Sequence, residues 1–217
     1  MNKKIKTTMI LFVALLVIGI GAAGVAYGIS GTSPAEAEQT VSTSPVWNWP
    51  PPASADNQVG DGFSTLQRDA NGVWYSVNTH ELNPGVHTLW FVVFNDPASC
   101  EGGCGGDDLM GGRGDSAAFW APGTIIGSNG EGNFGGYIQA NYVPAGPDQI
   151  LKDNTGGLGM TDVENSEIHF VLRTHGSVFD NSGYLGTQLS TFNGGCNPNP
   201  EACQNVQFSI HKVAADQ

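Results

Sequence analysis

Basic residues are scarce in this chain. Lys and Arg number eight against twenty Asp and Glu, a formal charge of −12 over 217 residues. Without a basic stripe to neutralise phosphates, DNA or RNA is excluded as a main partner. Charged residues of both signs together make up only 13%. No amphipathic helix of convincing length appears, and no long apolar run follows residue 29, so a helical bundle is excluded. G-x-S-x-G, H-E-x-x-H and P-loop signatures are missing, which removes the common hydrolase and nucleotide sites. The one G-x-G-x-x-G match, Gly130, Gly132 and Gly135, runs into Tyr137 and Ile138 of a strand pattern and reads as a hairpin turn.

What is present begins with Lys3, Lys4 and Lys6 before the uninterrupted apolar stretch 9–29, the layout of an export signal. At a rise of about 1.5 Å per residue this stretch spans about 30 Å of hydrocarbon, enough for a retained anchor. Ala35-Glu36-Ala37 matches a small-x-small cleavage site, so a cleaved signal is the alternative. Either outcome places the remainder outside the cell membrane, anchored to its extracellular face or secreted. Residues 30–58, rich in Ser, Thr, Pro, Ala, Glu and Gln, read as a stalk. Within it, Trp47-Asn48-Trp49-Pro50-Pro51-Pro52 is expected to pack back on the domain edge.

Residues 59–217 show short apolar runs divided by Gly, Asn, Asp and Pro, the signal for antiparallel strands joined by turns. Strands are expected at 63–68, 73–80, 87–94, 117–126, 134–143, 167–175, 185–192 and 206–212. Asn71-Gly72 is expected to supply positive φ angles to the first hairpin. The stretch 87–94 is apolar on both faces, a central strand. In 206–212, Val206, Phe208 and Ile210 alternate with Gln207, Ser209 and His211, which predicts the polar trio on a wet face. The fold class is all-β, a single antiparallel β-sandwich of about eight strands, jelly-roll or immunoglobulin-like, after an N-terminal hydrophobic helix.

Cys100 with Cys104 and Cys196 with Cys203 are an even number of cysteines in an exported domain, so disulfides are expected. Three pairings are open, and two local clips need the least tertiary assumption. The strand 167–175 puts Glu167, His169, Arg173 and His175 on one face, a candidate surface site. His169 and His175 lie roughly 20 Å apart along a strand and cannot share one ion. His80, His169 and His211 sit at wet-face positions of predicted strands and would form a copper or zinc site if those strands were neighbours. The acidic loops 101–115 and 153–164 are candidate calcium loops, although neither has the spacing of a known one.

Thr79-His80-Glu81-Leu82-Asn83-Pro84-Gly85, Thr88-Leu89-Trp90-Phe91-Val92-Val93-Phe94-Asn95-Asp96-Pro97, Glu167-Ile168-His169 through Arg173-Thr174-His175-Gly176, and Val206-Gln207-Phe208-Ser209-Ile210-His211 form a set. With Gly194-Gly195-Cys196, this set resembles a family of exported microbial β-rich proteins to which no activity is assigned. The resemblance covers roughly residues 59–213 and implies export and a β-rich domain, with no catalytic residue to carry over. A fainter similarity is to CHRD-type extracellular domains, whose H-x-H-x-G form is absent here. The copper-zinc superoxide dismutase pattern is also lacking.

The expectation is therefore an exported binding or structural module at the cell surface rather than an enzyme. Its partners are the membrane, through the N-terminal segment, and an extracellular protein or glycan. The alternatives are a copper or zinc enzyme of redox type using the three histidines, and a calcium-stabilised adhesion module.

Overall fold

The computed structural model describes residues 40–196 and 202–213. The expected export segment 1–29 and the first part of the expected stalk lie outside them. No helix among the described residues is long and apolar enough to cross a membrane.

The all-β expectation holds. Nine strands follow in chain order: β1 Thr40–Asn48, β2 Gln58–Asp69, β3 Gly72–Thr79, β4 Gly85–Phe94, β5 Ser116–Ile126, β6 Gly132–Gln139, β7 Ile150–Asp153, β8 Glu167–Thr174 and β9 Gln204–His211. Two short helices, α1 Gly106–Gly111 and α2 Ser182–Ser190, interrupt them. The strands form one antiparallel sheet of order β6-β3-β2-β1-β9-β8-β4-β5-β7, curled into a half-barrel, in place of two facing sheets. β5 and β6 approach each other as the sheet curls. The Gly130 turn therefore joins two strands that do not pair, and is not a hairpin.

Three expectations need correction. Residues 40–58 are not a stalk throughout: β1 pairs with β2 from Thr40↔Arg68 to Pro45↔Phe63 and meets β9 at Trp47↔Phe208. Its Ser and Thr residues, read as stalk composition, alternate with Val41, Val46 and Trp47 on a strand. The stretch 185–192 is mostly helix α2, because Asn181 caps it by accepting from Gly183 N (3.0 Å). Gly123 of β5 admits this helix, since a Cβ there would collide with the Leu189 carbonyl. Trp120 Nε1 donates to that same carbonyl (2.9 Å). The β2–β3 hairpin is where the sequence puts it, but Asn71 and Gly72 are not at positive φ. Asp69 Oδ1 closes the turn by accepting from Asn71 N (2.7 Å) and Gly72 N (3.1 Å).

The inner face carries the main core, in which Leu89, Phe91, Val93, Phe119, Ile168 and Phe170 are fully buried. At an apolar burial value of about 25 cal/mol per Å², such a cluster is the main source of stability. Through its middle, along β2, β1 and β9, runs a polar seam. His211 is hydrogen-bonded to Ser42 Oγ through Nδ1 and to Ser64 Oγ through Nε2, both at 2.8 Å. Ser64 Oγ also donates to Ser209 Oγ (2.9 Å), and Thr79 Oγ1 donates to Gln207 (2.7 Å). The alternation in β9 is thus as expected, with the faces exchanged: Gln207, Ser209 and His211 are buried and mutually satisfied. Phe208 and Ile210 look outward.

Candidate functional site

The outward face of β9, β8, β4 and β5 presents Phe208, Ile210, Val171, Trp90, Val92 and Phe94. An apolar surface of this extent must be covered, and four pieces of chain cover it. Leu109 and Met110 come from α1, Leu151 from β7, Phe192 from the segment after α2, and Trp49 with Pro51 from the turn after β1. Between cover and sheet they leave a cavity of about 410 Å³. This lies within the range that holds small ligands.

Each part of the cover has a local cause. Asn57 Nδ2 donates to the carbonyls of Asn48 (3.0 Å), Pro50 (3.4 Å) and Pro52 (3.1 Å), gathering the proline turn. Trp47 and Trp49 both rest on Phe208, with ring centroids 5.6 and 6.0 Å away, so the tryptophans do pack on the domain. The disulfide Cys100–Cys104 clips the loop before α1. Asp108, 2% exposed, ties that loop by accepting from Glu101 N (3.0 Å), Gly105 N (3.1 Å) and Arg113 Nε (2.6 Å). The Glu101 amide bond and the Arg113 guanidinium hold the Asp108 carboxyl below the usual carboxylate range. On the other side, Trp90 meets Phe192 edge to face at 4.9 Å, and Arg173 lies 4.0 Å over the Phe192 ring. The second disulfide, Cys196–Cys203, closes the loop behind Phe192. The two local clips are the pairing formed.

One polar group of the wall belongs to a charged chain. His169 lines the cavity, its Nε2 is 2.7 Å from Glu167 Oε1, and Lys212 Nζ donates to Glu167 Oε2 (3.0 Å). Burial pushes the Glu167 carboxyl up, but the bonds from His169 and Lys212 outweigh it and leave it below its ordinary range. Asp107 and Asn205 complete the polar part of the lining.

The structure does not assemble the expected metal site. Ile168 pairs with His211 while His169 pairs with Ile210, so His169 and His211 point to opposite faces of the sheet. His80 lies beyond β3 next to Asp61 (3.7 Å) and Glu81 (3.8 Å). Among the described residues, the one trio at metal-ligand spacing is His175, Cys196 and Cys203, and there the two sulfurs are bonded to each other. The surface site also needs correction. Glu167, His169, Arg173 and His175 are all buried: Arg173 is held by the Phe192 carbonyl and Asn205, and His175 by Gly194 and Cys203. His175 sits past the strand end, bonded to Thr88 Oγ1 (2.8 Å) and Gly194 O (2.7 Å). In the candidate calcium loops, Asp108, Asp153 and Asp162 accept from protein donors: Arg113, Thr155 and Asn165 among them.

The cover residues missed at the sequence level are Leu109, Met110, Leu151 and Phe192. The signal available for them was the apolar character of β4 on both faces, which requires a second layer without saying which loops supply it. No family model matches the chain, and no curated protein matches it.

Proposed function

We propose that the chain is an exported binding module of the cell surface whose cavity holds a small, mainly apolar molecule. The partly open apolar cavity over Val171 and Trp90 carries this reading. Five aromatic residues line it, and His169 offers a polar imidazole edge, so the ligand is apolar or aromatic with a single polar group such as a hydroxyl. An excess of fifteen acidic over basic residues beyond position 29 disfavours anionic ligands. The export segment and two disulfides support an oxidising, extracellular location.

The test is saturable binding of a neutral apolar fluorophore, N-phenyl-1-naphthylamine, to the folded chain. One probe per chain is expected, with binding abolished in Val171→Trp, which fills the cavity, and weakened in His169→Ala only for hydroxyl-bearing analogues. A folded protein that takes up no probe, or a Val171→Trp variant that binds it unchanged, overturns the reading.

A further inference from the structure

The other half of the outer surface is built differently. Among the described residues, no chain lies over the outward faces of β6, β3, β2 and β1, where Val41, Phe63, Trp74 and Tyr137 are exposed. At the paired positions of these four strands, Asp69 is the one charged group that faces outward. Its carboxylate is committed to the turn amides and to the Tyr137 hydroxyl. The face otherwise carries mainly hydroxyl, amide and aromatic side chains, with Val41, Pro45 and Gly135 among them.

Trp74 lies in its middle, 54% exposed, paired across the ladders with Tyr137 on one side and Gln67 on the other. The Trp74 and Tyr137 rings are 4.7 Å apart at 44°. Tyr137 is laid along the sheet over Gly72, where a Cβ would come within 2.7 Å of the tyrosine oxygen. Its position is fixed by that glycine, by Asp69 and by Trp74. Thr65, Ser76 and Asn78 continue the face next to the rings, each half-buried.

We infer that this face is a glycan-binding platform for neutral sugar chains, separate from the cavity. A pyranose ring presents C–H groups on its faces and hydroxyls around its rim. The C–H face stacks on the negative face of an exposed indole, and the rim bonds to amide and hydroxyl groups of the sheet. Fixing Trp74 and Tyr137 in advance lowers the ordering cost on binding. Charge selects the ligand class. An uncharged face on a strongly acidic chain matches an uncharged polyhydroxyl ligand and disfavours anionic glycans and anionic lipid surfaces. An open, extended sheet face suits a chain of sugars better than a single one.

The test is affinity electrophoresis of the full-length chain in gels containing three uncharged polysaccharides: hydroxyethylcellulose, galactomannan and dextran. Retardation by at least one is expected. Trp74→Ala should weaken it at least tenfold and Tyr137→Ala by less, both with unchanged melting temperature. Val171→Trp should leave it unaltered, so failure of the cavity reading and failure of this one are told apart. No retardation in any gel, or equal retardation of Trp74→Ala, overturns the proposal. So does Trp74-dependent flotation with phosphatidylcholine vesicles in the absence of glycan binding.

Discussion

The two halves of the outer surface belong to one sheet and solve the same problem in opposite ways. Over β4, β5, β8 and β9 the outward side chains are mostly apolar, with Glu167, His169 and Arg173 of β8 as polar members, and loops, two helices and two disulfides cover them. Over β1, β2, β3 and β6 the outward side chains are mainly hydroxyl-bearing, amide-bearing or aromatic, with Val41 and Pro45 beside them, and nothing among the described residues covers them. The covered half contributes stability and a partly open cavity. The bare half contributes little stability and an open surface. A side chain's role here follows from which half it faces, even where residue type is shared: Trp90 is 1% exposed and Trp74 54%.

Truncation breaks the comparison most sharply. Phe94 is fully buried under the cover beside Val92, Leu109 and Ala118. Phe94→Ala should cost about 3–5 kcal/mol, from lost transfer energy and the void left behind. Urea denaturation with an unchanged slope is the check; a cost under about 1 kcal/mol would mean that the cover is not packed.

Acid should act on the buried histidines of β4, β8 and β9, of which His211 lies in the inner seam against β1 and β2. The histidines whose protonation is suppressed are His87 in β4, His175 at the end of β8 and His211 in β9. Burial is the main cause for each. For His211, Arg68 and His169 add to it, giving about 3; for His175, Arg173 and His87 add to it while the Gly194 carbonyl opposes, giving about 4. A folded pKa below the unfolded value of about 6.5 means that the unfolded chain takes up the proton first. Stability is therefore full above about pH 6.5 and falls as pH drops toward 3. Between pH 6.5 and 5 each of the two groups should remove about 2 kcal/mol. His211→Gln should flatten this dependence, and stability that stays level from pH 7 to 5 would refute the account.

The cover's clip comes next. Opening Cys100–Cys104 by a double Ser substitution frees a short loop, with an expected loss of about 2 kcal/mol on the chain-entropy model. It should also weaken N-phenyl-1-naphthylamine binding, since α1 then loses one of its ties and keeps Asp108 and the bond from Asn154 Nδ2 to the Leu109 carbonyl. Unchanged probe binding would show that the clip plays no part in closing the cavity.

The halves also differ in how far they were readable from sequence. β2 and β3 announce themselves by alternation and a turn, and β4 by its unbroken apolar run. β1 was hidden because Ser42 and Ser44 are polar residues turned inward, where they meet His211 and Ser64. The same seam inverted the reading of β9: alternation gives the two faces of a strand but not which one is wet, and here the polar face is satisfied by other strands brought from far along the chain. α2 was hidden because Leu185, Thr187 and Leu189 alternate as a strand would, while the Asn181 cap is a single residue. Of the candidate site, the disulfides and the Glu167–His169 pair were within reach. The cavity was not, because loops far apart in the chain build it.

The smallest effect is the most discriminating. Trp74→Ala removes the largest side chain of the bare half, and should change the unfolding free energy by less than about 0.5 kcal/mol, since the indole touches mainly Tyr137 and solvent. A loss of several kcal/mol would place Trp74 in the scaffold and remove the reason for regarding it as a platform. Near-zero cost has the opposite force. An exposed indole that stabilises nothing, set beside a tyrosine whose place is kept by a glycine and an aspartate, is difficult to account for by folding, and contact with a ligand supplies what folding does not.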